Sequence, residues 1–164
     1  MSLFLDKSTS KKDRKIRSAE LFKIVQRPLE MFYEERLAYQ LLDTKPNKVM
    51  KNLFVGLAEQ GEASSSDLVD EMLRQVQKPY EGVNAHGVKQ LLFGHPLVHR
   101  MLKDMVKGEV TKTGEVTNAK KDLTFSYTMS KIVLKHFEEA IHGRGVFILL
   151  ELLECEATQT FVKK

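Results

Sequence analysis

Apolar residues recur every three to four positions along almost the whole chain, which is the period of an amphipathic helix. Ser8, Thr9 and Ser10 are good N-caps ahead of a first helix whose apolar positions are Ile16, Ala19, Leu21, Phe22, Ile24 and Val25. Pro28 suits the first position of a second helix, where a missing N–H costs nothing; that helix carries Leu29, Phe32, Tyr33, Leu37, Leu41 and Leu42. Pro46 opens a third, with Val49, Met50, Leu53, Phe54 and Leu57 inward and Gly61 as its stop. Ser64, Ser65 and Ser66 offer caps for a fourth, striped by Leu68, Val69, Met72, Leu73 and Val76 and ended by Pro79. A short helix is expected over 88–93, broken by Gly94. Pro96 then starts another, containing Leu97, Val98, Met101, Leu102, Met105 and Val106. The polar run 108–122 reads as a loop. A long helix is expected over 123–141, stopped by Gly143, then one over 145–153 and a last short turn near 157–162.

No two-residue alternation flanked by hairpin turns is visible, so no sheet is expected. The fold class is all-α: short helices of about 10–15 residues joined by brief connections. Residues 1–9 read as a basic leader and 10–164 as one α-helical domain. Short amphipathic helices bury their faces only against neighbours, so a stacked-helix solenoid and a compact bundle are equally allowed by periodicity.

Composition narrows this little. The 164 residues are 42% hydrophobic with a net charge of +4, which suits a folded domain and admits an acidic partner such as nucleic acid. Cys155 is the only cysteine, so no internal disulfide can form and a reducing compartment fits best. No apolar stretch is long enough to span a membrane, and Leu3, Phe4 and Leu5 are too short a patch for a secretory signal.

Three stretches carry a family resemblance. They are Ser10-Lys11-Lys12-Asp13 with Arg17 and Glu20-Leu21; His95-Pro96-Leu97-Val98-His99 with Leu102-Lys103; and Arg144-Gly145-Val146-Phe147-Ile148-Leu149 with Leu152-Leu153. In order and spacing they resemble the C-terminal, or CPL, region of the Puf-A class of Pumilio-related proteins. The resemblance implies a stack of Pumilio-like helical repeats, with further repeats N-terminal to this region. It also implies a nuclear and nucleolar protein that binds RNA, with DNA tolerated, beside pre-ribosomal proteins during ribosome assembly and rRNA processing. Sequence-reading Pumilio repeats use two or three inner-helix side chains per base. Placed here, that pattern falls on Asn47, Lys48 and Lys51, on His99, Arg100 and Lys103, and on Val146, Phe147 and Leu150. Only Asn47 suits a base edge. The middle set suits phosphate, and the last set reads as core or a protein interface. Backbone binding with little sequence preference is therefore expected.

The remaining candidates are charge features. Lys7, Lys11, Lys12, Arg14, Lys15 and Arg17 form a basic run that reads as a phosphate-binding segment, a nuclear address or an ordinary solvated face. Arg100, Lys103 and Lys107 share one helix face beside His99, again as a phosphate track or plain surface. His95 and His99 stand four apart, but no third metal ligand adjoins them, and capping or packing is the simpler reading. His136 and His142 suit the end of the long helix. The methionines read as core filler. Glu34-Glu35 and Glu138-Glu139 read as surface, and Cys155 between Glu154 and Glu156 is no nucleophile. No phosphate loop, nucleophile elbow or metal set appears, so neither enzyme activity nor a cofactor is expected. The competing expectation is a protein-interaction scaffold that docks a partner, or another copy, through the apolar 146–153 helix.

Overall fold

The computed structural model describes residues 13–83, 87–117 and 123–163. Among them are nine helices and one short hairpin, so the all-α expectation holds in the main. The helices are α1 (Arg14–Glu34), α2 (Leu37–Leu41), α3 (Thr44–Glu59), α4 (Asp67–Gln75), α5 (Pro96–Thr117), α6 (Thr124–Lys135), α7 (Phe137–Ile141), α8 (Gly145–Glu154) and α9 (Glu156–Gln159). Single 3-10 turns at Ala63–Ser65 and Leu92–Gly94 precede α4 and α5.

Four boundaries differ from the sequence reading, each for a physical reason. Pro28 lies inside α1 and does not open a new helix. Phe22, Leu29 and Tyr33 form one continuous packed face across it, which outweighs the single backbone hydrogen bond that proline removes. The break comes later, at Arg36 (φ −139°, ψ 40°). The expected helix over 88–93 is instead a strand, β2 (Lys89–Leu91), paired antiparallel with β1 (Pro79–Val83) and running into a 3-10 turn. Its register shifts twice, between Pro79 and Glu81 and between Glu81 and Val83, so no clean alternation marks it in the sequence. The expected loop over 108–122 is helical as far as Thr117; residues 118–122 lie outside the described residues. Finally, the helix expected over 123–141 is split at His136 (φ −109°, ψ 45°) into α6 and α7.

α1 packs on α3, α3 on α5, and α5 on α8, with α6, α7 and α9 against α8. The core runs from Tyr33 and Leu41 through Phe54, Met72, Met101 and Met105 to Met129 and Ile148, all essentially without solvent contact. Phe54 and Phe125 meet with ring centroids 4.6 Å apart. Met50, Met72, Met101, Met105 and Met129 are core, as read, whereas Met31 is exposed. Ser66 is the cap expected for α4: its hydroxyl accepts the Val69 N–H at 3.3 Å.

One local plan occurs twice. α1–α2–α3 and α6–α7–α8 each run as a helix, a break at Arg36 or His136, a five-residue helix and a further helix. In the second copy Gly145 lets two elements approach closely: a Cβ there would lie 2.5 Å from Phe93 Cε2 and 3.0 Å from Ala140 Cα.

Candidate nucleic-acid interface

The candidate interface centres on α5. Pro96 opens that helix, and His95 caps it, its Nδ1 accepting the Leu97 N–H at 3.1 Å. Val98, Met101, Leu102 and Met105 form its buried face. The opposite side carries His99, Arg100, Lys103 and Lys107, with Arg100 and Lys107 exposed and Lys103 half-buried. His99 differs from its neighbours: only 7% of it is exposed, because α8 covers it.

Phe147, in the first turn of α8, makes that cover. Its ring centroid is 5.5 Å from that of His99, with 32° between the planes, yet 46% of the residue remains exposed. Arg144 is the N-cap residue of α8 and is exposed; its carbonyl accepts the Phe147 N–H at 3.1 Å, which places the two residues one turn apart. Arg100 and Lys103 thus neighbour His99 along α5, and Arg144 precedes Phe147 by one turn on α8. The imidazole registers this. Burial holds the His99 pKa below its ordinary value, the hydrogen bond to the His95 carbonyl opposes the shift, and the positive fields of Arg100, Arg144 and Lys103 add to it. Beside His95 stands Tyr80, edge-on at 5.2 Å between centroids.

The other sequence candidates lie elsewhere. Lys11 and Lys12 fall outside the described residues. Arg14, Lys15 and Arg17 are exposed on the first turn of α1, which Asp13 caps by accepting the Lys15 N–H at 3.4 Å. They lie on α1, which packs on α3, and α3 in turn packs on α5. Asn47 does not offer its amide to a base: it is 8% exposed, and Nδ2 donates to the Leu41 carbonyl at 2.8 Å, tying α3 to the end of α2. Lys48 is exposed on α3, whereas Lys51 is paired with Asp104 Oδ2 at 3.5 Å across the α3–α5 contact. Such a half-exposed pair contributes little to stability but occupies the lysine.

Sequence reasoning missed Arg144 as a site residue and assigned Phe147 to core or a protein interface. A basic residue one turn before an aromatic at a helix start was the available signal. The exposure of that ring was not, since it depends on how α8 meets α5. The rest of α8 divides similarly: Ile148 and Leu152 are buried and Leu150 is exposed. With Leu134, Phe137 and Ile141, Leu150 leaves apolar surface at this end of the stack. Glu109, read as a loop residue, is 2% exposed on α5, where its carboxylate accepts the Phe125 and Ser126 N–H groups at 3.0 and 2.8 Å.

Among the described residues, no group of three or more His, Cys, Asp or Glu is placed to hold a metal ion, and no helix is long and apolar enough to cross a membrane. A cleft of about 620 Å³ between α1 and α4 is lined by carboxylates that are largely engaged already, Glu34 with Arg27 at 2.9 Å and Glu71 with Arg74 at 2.6 Å.

Residues 4–118 match the CPL (NUC119) domain, and the chain belongs to that family. The matched span takes in α1 to α5, including His99, Arg100 and Lys103; Arg144 and Phe147 lie beyond it. No curated protein and no solved structure matches the chain.

Proposed function

We propose that the chain is a non-enzymatic nucleic-acid-binding module, one that holds RNA by its backbone, with DNA tolerated and little preference for sequence. The observation that carries this reading is the contact of Phe147 on α8 with His99 on α5, which brings together two helices that each carry cations, Arg100 and Lys103 beside His99 and Arg144 one turn before Phe147. Neutralising phosphates there releases counterions, so affinity comes mainly from charge. Arg14, Lys15 and Arg17 supply a second group of cations, on the first turn of α1. The burial of Asn47 speaks against a base-by-base code. The finer assignment is to the Puf-A class of Pumilio-related proteins, acting in the nucleolus on precursor ribosomal RNA among pre-ribosomal proteins. It is supported by the family match and by the plan that α1–α3 and α6–α8 share. The test is binding of labelled RNAs of unrelated sequence, with Arg100→Glu and Arg144→Glu as variants. Comparable affinities that drop in both variants support the reading; affinities unchanged by both would overturn it.

A second reading is favoured by a different observation. Leu134, Phe137, Ile141 and Leu150 leave exposed apolar surface around α8, as a scaffold that docks a protein partner or another copy would. Docking of that kind is insensitive to salt, whereas phosphate binding is not.

A further inference from the structure

We propose that the leader residues Leu3, Phe4 and Leu5 fold back into a groove between the start of α1 and α3, so that Lys7, Lys11 and Lys12 form a loop tethered at both ends. The inference concerns the chain's contacts with itself and does not rest on the nucleic-acid reading.

The groove measures about 830 Å³. Ala19 and Phe22 of α1 line it on one side and Val55 and Gly56 of α3 on the other, with Asp13 and Glu59 among its polar lining. Gly56 lets the Phe22 ring lie close against α3, since a Cβ there would come within 2.2 Å of that ring. Ala19, Phe22 and Val55 are only partly buried, so the groove presents apolar surface to whatever enters it. A cleft in this size range accepts several apolar groups at once.

The path of the chain identifies the occupant. Asp13, which caps α1, lines the groove and directly follows the leader. Residues 6–12 separate it from Leu5, a connection that reaches at most about 26–29 Å. Phe22 stands only about 14 Å along α1 from Asp13, so the leader returns to the groove with slack. Within it, Leu3, Phe4 and Leu5 form an apolar run, whereas residues 6–12 are all polar or charged. Burial therefore favours the run and leaves the lysines in water. The tether gives the run an effective concentration on the order of mM, an advantage over any free segment. The matched family domain begins at residue 4, which makes Phe4 and Leu5 part of the domain and not an appendage to it.

The chain contains no tryptophan, so Phe4→Trp puts a single reporter into the leader of the full chain. Its emission is expected to be blue-shifted, and shielded from acrylamide, relative to a peptide of residues 1–12 carrying the same substitution. Adding Ala19→Lys, which brings a charge into the groove, should return both signals to the peptide's values while circular dichroism shows the helices intact. Leu3→Ser with Leu5→Ser, which leaves every described helix unchanged, should do the same. A reporter as solvated in the full chain as in the peptide means that the leader is free and overturns the proposal. A blue shift that survives Ala19→Lys overturns it too, by placing the leader elsewhere, as on the exposed Leu21 and Ile24 side of α1. A blue shift lost on dilution assigns the groove to the leader of a second copy and removes the contact within one chain.

Discussion

Glu109 of α5 caps α6 from outside: its two carboxylate oxygens accept the N–H groups of Phe125 and Ser126 at 3.0 and 2.8 Å. The first turn of a helix has unpaired N–H donors and the positive end of its dipole, so a buried carboxylate there satisfies both. Glu109→Ala leaves those donors without this partner in a site that is 2% exposed, and is expected to cost about 2–3 kcal/mol of stability. Glu109→Gln keeps one acceptor oxygen and should recover part of that. Urea unfolding checks both; an Ala variant as stable as the parent would show that Glu109 is not the clamp between α5 and α6.

Gly145 is a second point where the packing has no slack. A Cβ there meets the Ala140 backbone at 3.0 Å as well as the Phe93 ring at 2.5 Å, whereas the three atoms nearest a Cβ at Gly56 all belong to the Phe22 ring, the first at 2.2 Å. Phe22 is half-buried and has solvent to turn into; the α7 backbone has nowhere to go. Gly145→Ala is therefore expected to destabilise by about 1–3 kcal/mol, and Gly56→Ala by less. Thermal unfolding of the pair gives the order.

Tyr33 ties α1 to the start of α3 through a hydrogen bond from its hydroxyl to the Pro46 carbonyl. Burial pushes its pKa from 10.0 to about 12, against the lowering effect of a hydrogen bond with the Met50 backbone. Because the folded value lies above the unfolded one, the folded state retains the proton longer. Its contribution is complete below pH 10.0 and is lost as pH rises towards about 12. Tyr33→Phe should flatten the fall in stability across that window, at the expense of some stability below it. Melting temperatures measured along a pH series show whether the two curves converge.

His99 behaves in the opposite sense. Its folded pKa is lowered, chiefly by burial, so the unfolded chain takes up the proton first and stability falls as pH drops below about 6.5. Phosphates bound beside it would favour the charged ring. Addition of RNA should therefore raise the His99 pKa, visible as a displaced imidazole titration by NMR; a titration unmoved by RNA places the strand elsewhere.

These relationships explain what the sequence could and could not reveal. Leu68, Val69, Met72 and Leu73 betray α4 because local periodicity and burial agree there. The hairpin of β1 and β2 stayed hidden because three paired positions with two register shifts have no period to read. The helical character of the run after Gly108 was obscured by its polarity, while the reason Glu109 is buried belongs to α6, sixteen and seventeen residues away. At the candidate site, the shared helix of Arg100 and Lys103 is legible from their spacing. Asn47 misled because an amide that closes the α2–α3 link looks, in sequence, like one free to read a base. Arg144 and Phe147 acquire meaning only when α8 lies against His99, a tertiary contact that no local pattern encodes.

The two groups of cations lie on different helices, Arg14, Lys15 and Arg17 on α1 and Arg100 and Arg144 at α5 and α8, and can be reversed separately. Reversing Arg14, Lys15 and Arg17 should weaken RNA binding independently of Arg100→Glu and Arg144→Glu, with free-energy changes that add. Strong coupling between the two sets, seen by anisotropy on the combined variant, would mean that a single short surface does the binding.

The central claim is tested most directly by fluorescence anisotropy of a labelled, unstructured RNA titrated with the whole chain at rising salt. The account predicts saturable binding whose log affinity falls linearly and steeply with log salt, and a shallower slope for Arg144→Glu. An affinity independent of salt, or no binding at low salt, would contradict it and make the apolar surface around Phe137 and Leu150 the place to look for a protein partner.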